Sequence, residues 1–256
     1  MTETIDAFHR GRFHLLQPKD GGHRAGMDAM LLASLVTGEG AIRVADLGAG
    51  AGAAGLGVAA RLDAAQVTLV ERSPQMAGYA RRTLELAQNA ALRPRAKVVE
   101  ADVTLRGKAR MEAGLPDNAF DHVIMNPPFN DSRDRTTPDE LKAQAHAMTE
   151  NLFDSWIRTA AAIMVPGGQL SLIARPQSVA EIIAACGNRF GGLELTAIHP
   201  RPGESAIRLL VTAIKGSRSR LAIRGPLFMH DGAGHPFTQE VDDLNNGRAA
   251  YHREGR

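Results

Sequence analysis

The chain has one cysteine, Cys186, one tryptophan, Trp156, and two tyrosines in 256 residues. A single cysteine excludes an internal disulfide framework. Set within IIAACGN, it reads as a small core residue rather than a nucleophile. No apolar run approaches the roughly 18 residues of a membrane helix, so no membrane partner is expected. The opening stretch MTETIDAFHRGRFH is polar and has no apolar core of a secretory signal, which makes a cytoplasmic location the expectation. Neither sign of charge dominates: 30 Lys and Arg against 28 Asp and Glu leave +2. That balance permits contact with nucleic acid without demanding it. Nine histidines are scattered, with no HExxH and no Cys/His cluster, so no metal site is expected.

What is there suits one globular domain with small appendages, at 44% apolar residues. Residues 1–14 read as a polar arm, frayed or lying across the surface. Its Arg10, Arg12 and His14 either meet phosphate or are simply solvated. Residues 15–230 read as the folded domain and 231–256 as a polar, partly disordered tail. No internal repeat or interdomain linker interrupts them.

The patterning alternates strand and helix. Ile42 to Leu47 is an apolar strand that runs into Gly48-Ala49-Gly50-Ala51-Gly52 and then a helix of small residues, with Asp46 just before the glycines. Glycines let a backbone approach a ligand closely, and a helix N-terminus favours an anionic group. The spacing is Gly-x-Gly-x-Gly, unlike the nicotinamide fingerprint, whose last two glycines lie three apart. Gln66 to Glu71 is a second strand ending in an acid. Glu71 lies about twenty residues beyond the glycines, where such folds place a carboxylate on ribose hydroxyls; a surface charge is the bland alternative. Arg72, Ser73 and Pro74 then open a helix, with Pro74 near its first position. Lys97 to Val103 is a third strand, ending at Asp102, which by itself also reads as a turn or capping aspartate.

Phe120 to Met125 is a fourth strand, stopped by Asn126-Pro127-Pro128-Phe129. Proline lacks the ladder donor, so the strand cannot continue. The Asn126 side chain and the Pro127 carbonyl therefore fall at a strand's C-terminal edge, where open α/β sheets bind ligands. Two acceptors aimed at the two N–H bonds of a conjugated nitrogen would hold it and favour the pyramidal form that attacks. Phe129 offers a face for a planar group. Taken alone, Asn-Pro is equally a turn opener. The polar stretch 130–139 carries Arg133 and Arg135, either as part of a lid or as a solvated loop.

Upstream, LLQPKDGGHRAGMDAMLLASLV is a turn-rich loop followed by a helix, with Asp28 at the N-cap position. Lys19, Arg24 and the Gly26-Met27-Asp28 turn either fold over a ligand or simply lead into that helix. Asp139 to Met164 reads as helix, with Trp156 at helical spacing from Leu152, Phe153, Thr159 and Ala160, so Trp156 is assigned to the core. Val165 to Gly168 stops it. Gln169 to Ala174 is a strand, Pro176 to Phe190 a helix, and Leu193 to Ile198 and Ala206 to Ile214 are strands. The short His199 to Gly203 loop makes the last pair antiparallel. Leu221 to Phe228 reads as a further edge strand.

The glycine segment resembles motif I of class I S-adenosyl-L-methionine (SAM) methyltransferases, and Asn126-Pro-Pro-Phe resembles the motif of those that methylate planar amino or amide nitrogens. The resemblance implies an α/β, Rossmann-like domain with a mostly parallel seven-stranded sheet and an antiparallel C-terminal hairpin. It implies SAM as cofactor, held by Asp46, Gly48, Ala49, Gly50, Gly52, Glu71, Arg72, Asp102, Val103 and Asn126. Asp102 would meet the adenine amino group, Val103 would pack on the adenine ring, and Asn126, Pro127 and Phe129 would be catalytic. The Lys19 to Leu32 segment and His199-Pro-Arg-Pro-Gly-Glu-Ser-Ala narrow the likeness to the bacterial tRNA(Val) adenine-N6 methyltransferases, over roughly residues 13 to 240. The implied partner is RNA, tRNA in particular, contacted by Lys19, Arg24, Asp28, Pro128, Arg133 and Arg135. A protein glutamine methyltransferase, a small-molecule methyltransferase and a silent RNA-binding module are the alternatives.

Overall fold

The computed structural model describes residues 3–19, 25–128, 152–232 and 234–254. The chain opens with a hairpin, β1 (Glu3–Phe8) and β2 (Phe13–Pro18), paired antiparallel from Glu3↔Pro18 to Phe8↔Phe13. The expected frayed arm is therefore a strand. Its backbone is satisfied by β2, and β2 is anchored inward by Phe13 and Leu15, which are fully buried. Its Leu16 N–H donates to Thr83 Oγ1 at 3.0 Å, and its His14 N–H donates to Asn89 Oδ1 at 2.9 Å. The tight turn between the strands puts His9, Arg10 and Gly11 at φ 47, 54 and 88°, a left-handed run that only the glycine adopts without strain.

Helix α1 (Met27–Ser34) follows, capped by Gly26, so Asp28 lies in the first turn rather than at the cap. The sequence then alternates β3 (Arg43–Leu47), α2 (Ala53–Arg61), β4 (Gln66–Glu71), α3 (Pro74–Glu85), β5 (Ala96–Glu100), α4 (Gly107–Glu112) and β6 (Phe120–Met125). After the 129–151 stretch come α5 (Leu152–Ile163), β7 (Met164–Ala174), α6 (Val179–Cys186), β8 (Phe190–His199), β9 (Arg208–Lys215), β10 (Ala222–Ile223), β11 (Leu227–Phe228) and α7 (Gln239–Asn245).

Apart from the β1–β2 hairpin, the strands form one sheet in the order β10-β8-β9-β7-β6-β3-β4-β5, with β11 also on β8. Pairings from β5 to β7 are parallel, and β9 runs antiparallel to both β7 and β8. The seven expected strands and their reversed final pair are present. The single edge strand expected over Leu221 to Phe228 is two short pieces, because Gly225-Pro226 removes a ladder donor between them. The helix expected to stop at Val165 to Gly168 ends at Ile163, and those residues form the irregular start of β7, where the register with β6 shifts between Phe120 and His122. The 176–190 helix is shorter than expected and ends at Cys186, where Gly187 turns at φ 45°.

Two clusters of buried side chains hold the layers. One joins the hairpin, α1, α2 and α3 through Phe13, Leu31, Leu56 and Leu84. The other joins α5 and α6 to the sheet through Trp156, Ile157, Ile163 and Ile182. The tail is not disordered over its described part. Thr238 Oγ1 accepts from Val241 N–H, Val241 and Leu244 are buried, and Tyr251 N–H donates to Ser34 O at 3.0 Å. Polar composition hid it, since two apolar side chains one helical turn apart suffice to dock so short a helix. Among the described residues no helix is long and apolar enough to cross a membrane.

Candidate active site

The sheet reverses order between β3 and β6: the chain lays β3, β4 and β5 outward on one side, then returns to place β6 on the other. Such a switch point leaves a crevice at the strands' C-terminal ends. Register brings the motifs to it. Leu47 pairs with both Val70 and Met125, so Gly48, Glu71 and Asn126 emerge at one level. Glu71 pairs with Glu100, which puts Asp102 just beyond.

The glycine turn is built from backbone bonds. Gly48 and Ala49 N–H both donate to Val70 O, at 2.9 and 3.0 Å, and Gly52 N–H donates to Ala49 O at 2.8 Å. Gly48, Gly50 and Gly52 all have positive φ. Their missing side chains serve different ends. A Cβ at Gly48 would collide with the Trp156 ring, and one at Gly52 would lie 2.8 Å from Leu69 Cδ1. At Gly50 the nearest atom is Met76 Cε at 3.8 Å, so this is the glycine with room beside it for a ligand.

The acids divide similarly. Asp46 is buried under the turn, its Oδ2 accepting from Gly55 N–H at 2.8 Å, and pins the first turn of α2. Burial pushes its carboxyl up to about 7; the Gly55 N–H opposes this and the Glu71 charge adds to it. Asp46 thus supports the glycine turn through Gly55. Glu71 is half-buried and ties two segments together, accepting from Gly50 N–H at 2.9 Å and from Ser73 N–H at 2.8 Å. Each oxygen keeps a lone pair. Asp102 Oδ1 accepts from Thr104 N–H and Oγ1, both at 2.8 Å, while its Oδ2 takes no hydrogen bond among the described residues. Val103 is buried beside it. Arg72 is exposed.

At the acceptor side, Pro127 is buried and Pro128 exposed. Asn126 Oδ1 is buried and takes no hydrogen bond among the described residues. A buried amide oxygen left alone costs about 1–3 kcal/mol, so its position asks for a donor. Phe129, Arg24, Arg133 and Arg135 lie outside the described residues. Lys19 is exposed at the end of β2. Asp28 Oδ2 accepts from Arg208 Nε at 2.6 Å. Arg208 opens β9 beside Ala174's neighbour Leu209, and His199 ends β8, so the 199–207 loop lies on the same edge. The ion pair therefore joins the Lys19–Asp28 segment to that loop. Trp156 is buried in the core, as its spacing predicted, but its packing on Gly48 and the Thr159 contact with Val103 were not legible from spacing.

The residues present fit SAM: the space beside Gly50, the spare lone pairs of Glu71 and, among the described residues, the oxygens of Asp102 and Asn126 without a hydrogen bond all lie at the C-terminal ends of neighbouring strands. A cavity of about 450 Å³ lies elsewhere, between the β1–β2 turn, Met27, Met30 and the end of α7. Among the described residues no three His, Cys, Asp or Glu side chains group to hold a metal.

Comparison with known proteins agrees with the fold. A protein from Agrobacterium tumefaciens described as a predicted O-methyltransferase is 65% identical, superposes with a TM-score of 0.79, and is matched over 89% of this chain and 100% of that one. The release factor glutamine methyltransferase of Deinococcus radiodurans is 32% identical over 150 residues, 56% of this chain; the chain spans about half of that relative, 49% of its length. The structure of M. jannaschii TYW2 in complex with AdoMet is 13% identical, with a TM-score of 0.57 over 84% of this chain and 87% of that one, a likeness of fold alone. The methyltransferase small domain matches residues 25–199. The chain belongs to the methyltransferase small domain family, among the SAM-dependent methyltransferases of Rossmann-like fold.

Proposed function

We propose that the chain transfers a methyl group to the exocyclic N6 of an adenine in structured RNA, tRNA in particular. The observation that carries this is the buried, unpartnered Oδ1 of Asn126, set at the end of β6 level with the glycine turn. A primary or exocyclic amine brings two N–H bonds. One would donate to Asn126 Oδ1 and the other to the Pro127 carbonyl. The buried Pro127 ring stiffens the turn, so both acceptors are placed before the substrate arrives. Accepting hydrogen bonds from both N–H groups favours the pyramidal nitrogen, whose lone pair is out of conjugation. When bound, SAM supplies an electrophilic methyl on its sulfonium sulfur. Gly50, Glu71 and Asp102 hold the crevice that orients it toward Asn126. Methylation makes the nitrogen acidic, and its proton leaves to water. Phe129 would stack on the base, which must be unpaired or flipped to reach the crevice.

The likeness to a glutamine methyltransferase supports a second reading, since a glutamine amide offers the same pair of N–H bonds. A hydroxyl acceptor has no such pair, so the Asn126 geometry does not favour O-methylation. The test is methyl transfer from labelled SAM to bacterial tRNA lacking the modification, followed by nucleoside analysis. N6-methyladenosine that disappears with Asn126→Ala supports the reading. Label in a protein fraction alone would replace it with the glutamine reading.

A further inference from the structure

Helix α5 meets the crevice at both ends. Its Trp156 ring fills the space that a side chain at Gly48 would need. At the other end Thr159 Oγ1 donates to Val103 O at 2.6 Å, a contact between buried partners far apart in the chain. A helical threonine ordinarily returns its hydroxyl to a carbonyl of its own preceding turn. This one is spent on a loop of another layer.

The loop it holds is the one that presents Asp102. Ala101 N–H donates to Glu71 O at 3.1 Å on one side of the aspartate, and Val103 O is fixed by Thr159 on the other. Thr104 secures Asp102 Oδ1 from within, at 2.8 Å. These three anchors hold the loop around the carboxylate, whose Oδ2 takes no hydrogen bond among the described residues. Trp156 and Thr159 are three residues apart, so one face of one helix gauges the separation of the glycine turn from this loop. Both distances must be right together for a ligand that spans them.

We infer that Thr159 is a positioning residue for the adenine end of the cofactor: through the Val103 carbonyl it aims Asp102, while Trp156 on the same helix face fixes the glycine turn. The inference rests on the assignment of Asp102 to the cofactor adenine. It also ties cofactor binding to the chain that follows the Asn126 motif, because α5 is the next described element after it.

The experiment is calorimetric titration with SAM of the wild type, Thr159→Val, Thr159→Ser, Asp102→Ala and the Asp102→Ala/Thr159→Val double variant, with a melting curve of each. Valine keeps the shape and removes the hydroxyl; losing one buried hydrogen bond predicts about fivefold weaker SAM binding. Serine restores affinity to within about twofold by returning that bond. In the Asp102→Ala background the valine change should have almost no further effect, because its target is gone. An equal loss in both backgrounds would make Thr159 a general structural residue and overturn the inference. So would full affinity in Thr159→Val when Asp102→Ala binds poorly. If Asp102→Ala itself binds SAM normally, the adenine assignment fails and the inference falls with it.

Discussion

Asp46→Asn isolates one charge without changing the shape around it. Asp46 Oδ2 lies 2.8 Å from Gly55 N, and the side chain is buried at 2% exposure. Burial outweighs the Gly55 hydrogen bond and pushes the carboxyl from 3.8 up to about 7. Between those values the native protein holds a proton that the unfolded chain has released. Stability from this group is therefore whole below pH 4 and falls as the pH rises through 7. The gap of 7 − 3.8 = 3.2 corresponds to about 4 kcal/mol by linkage. Asparagine still accepts from Gly55 but has no charge to pay for in the native state. Its new N–H bonds, if unpaired, subtract about 1–3 kcal/mol at every pH, so the informative quantity is the slope and not the offset. At about 2–4 °C per kcal/mol for a chain of this size, the melting point of Asp46→Asn relative to wild type should rise by about 10 °C between pH 4 and pH 8. Titrating groups that do not interact with Asp46 cancel in the difference; Glu71, whose charge faces it, does not. Melting curves of both proteins over that range test it. Parallel curves would refute the raised ionisation. A gain in slope accompanied by total loss of SAM binding would show that the carboxylate also touches the cofactor, which its place under the turn argues against.

Four further changes have defined outcomes. Asn126→Ala should abolish methyl transfer while leaving SAM affinity within about threefold, since it removes an acceptor for the substrate; unchanged turnover would end the proposal. Gly48→Ala forces a side chain into a φ of 72° and against Trp156, which should cost about 3 kcal/mol and lower the melting point, with Trp156→Leu recovering part of the loss. Glu194 is buried and pairs with Arg224 at 2.7 Å and Arg253 at 3.2 Å, so Glu194→Ala removes the shielded carboxylate that two guanidiniums share, should cost about 3 kcal/mol, and should expose the C-terminal segment to limited proteolysis. Cys186 is buried, with its thiol pushed up to about 12, and should react with a thiol reagent only on unfolding; rapid reaction of the native protein would contradict that placement.

The sequence by itself determined the strand order of motifs and the fold class. Two central strands are short apolar runs closed by a residue that breaks the ladder, glycine after Leu47 and Pro127 after Asn126, and acids mark where the others meet the edge, Glu71 as the last residue of β4 and Asp102 just beyond β5. Those signals are local, and one chain position decides each. Asn126 follows the last residue of β6, the strand end that the proline pair marked in the sequence. What local signals do not carry is who fills the space beside a glycine or a carboxylate. Tertiary structure alone decided that Gly48 makes room for Trp156, that Asp46 serves Gly55, and that Thr159 holds Val103. It also decided the two ends. The polar β1 is ordered because β2 supplies its ladder bonds, and α7 because Val241 and Leu244 find a buried site. Hydropathy averages over both stretches and sees only polar residues. Pairing and burial act between residues distant in the chain, and the packed fold alone brings those residues together.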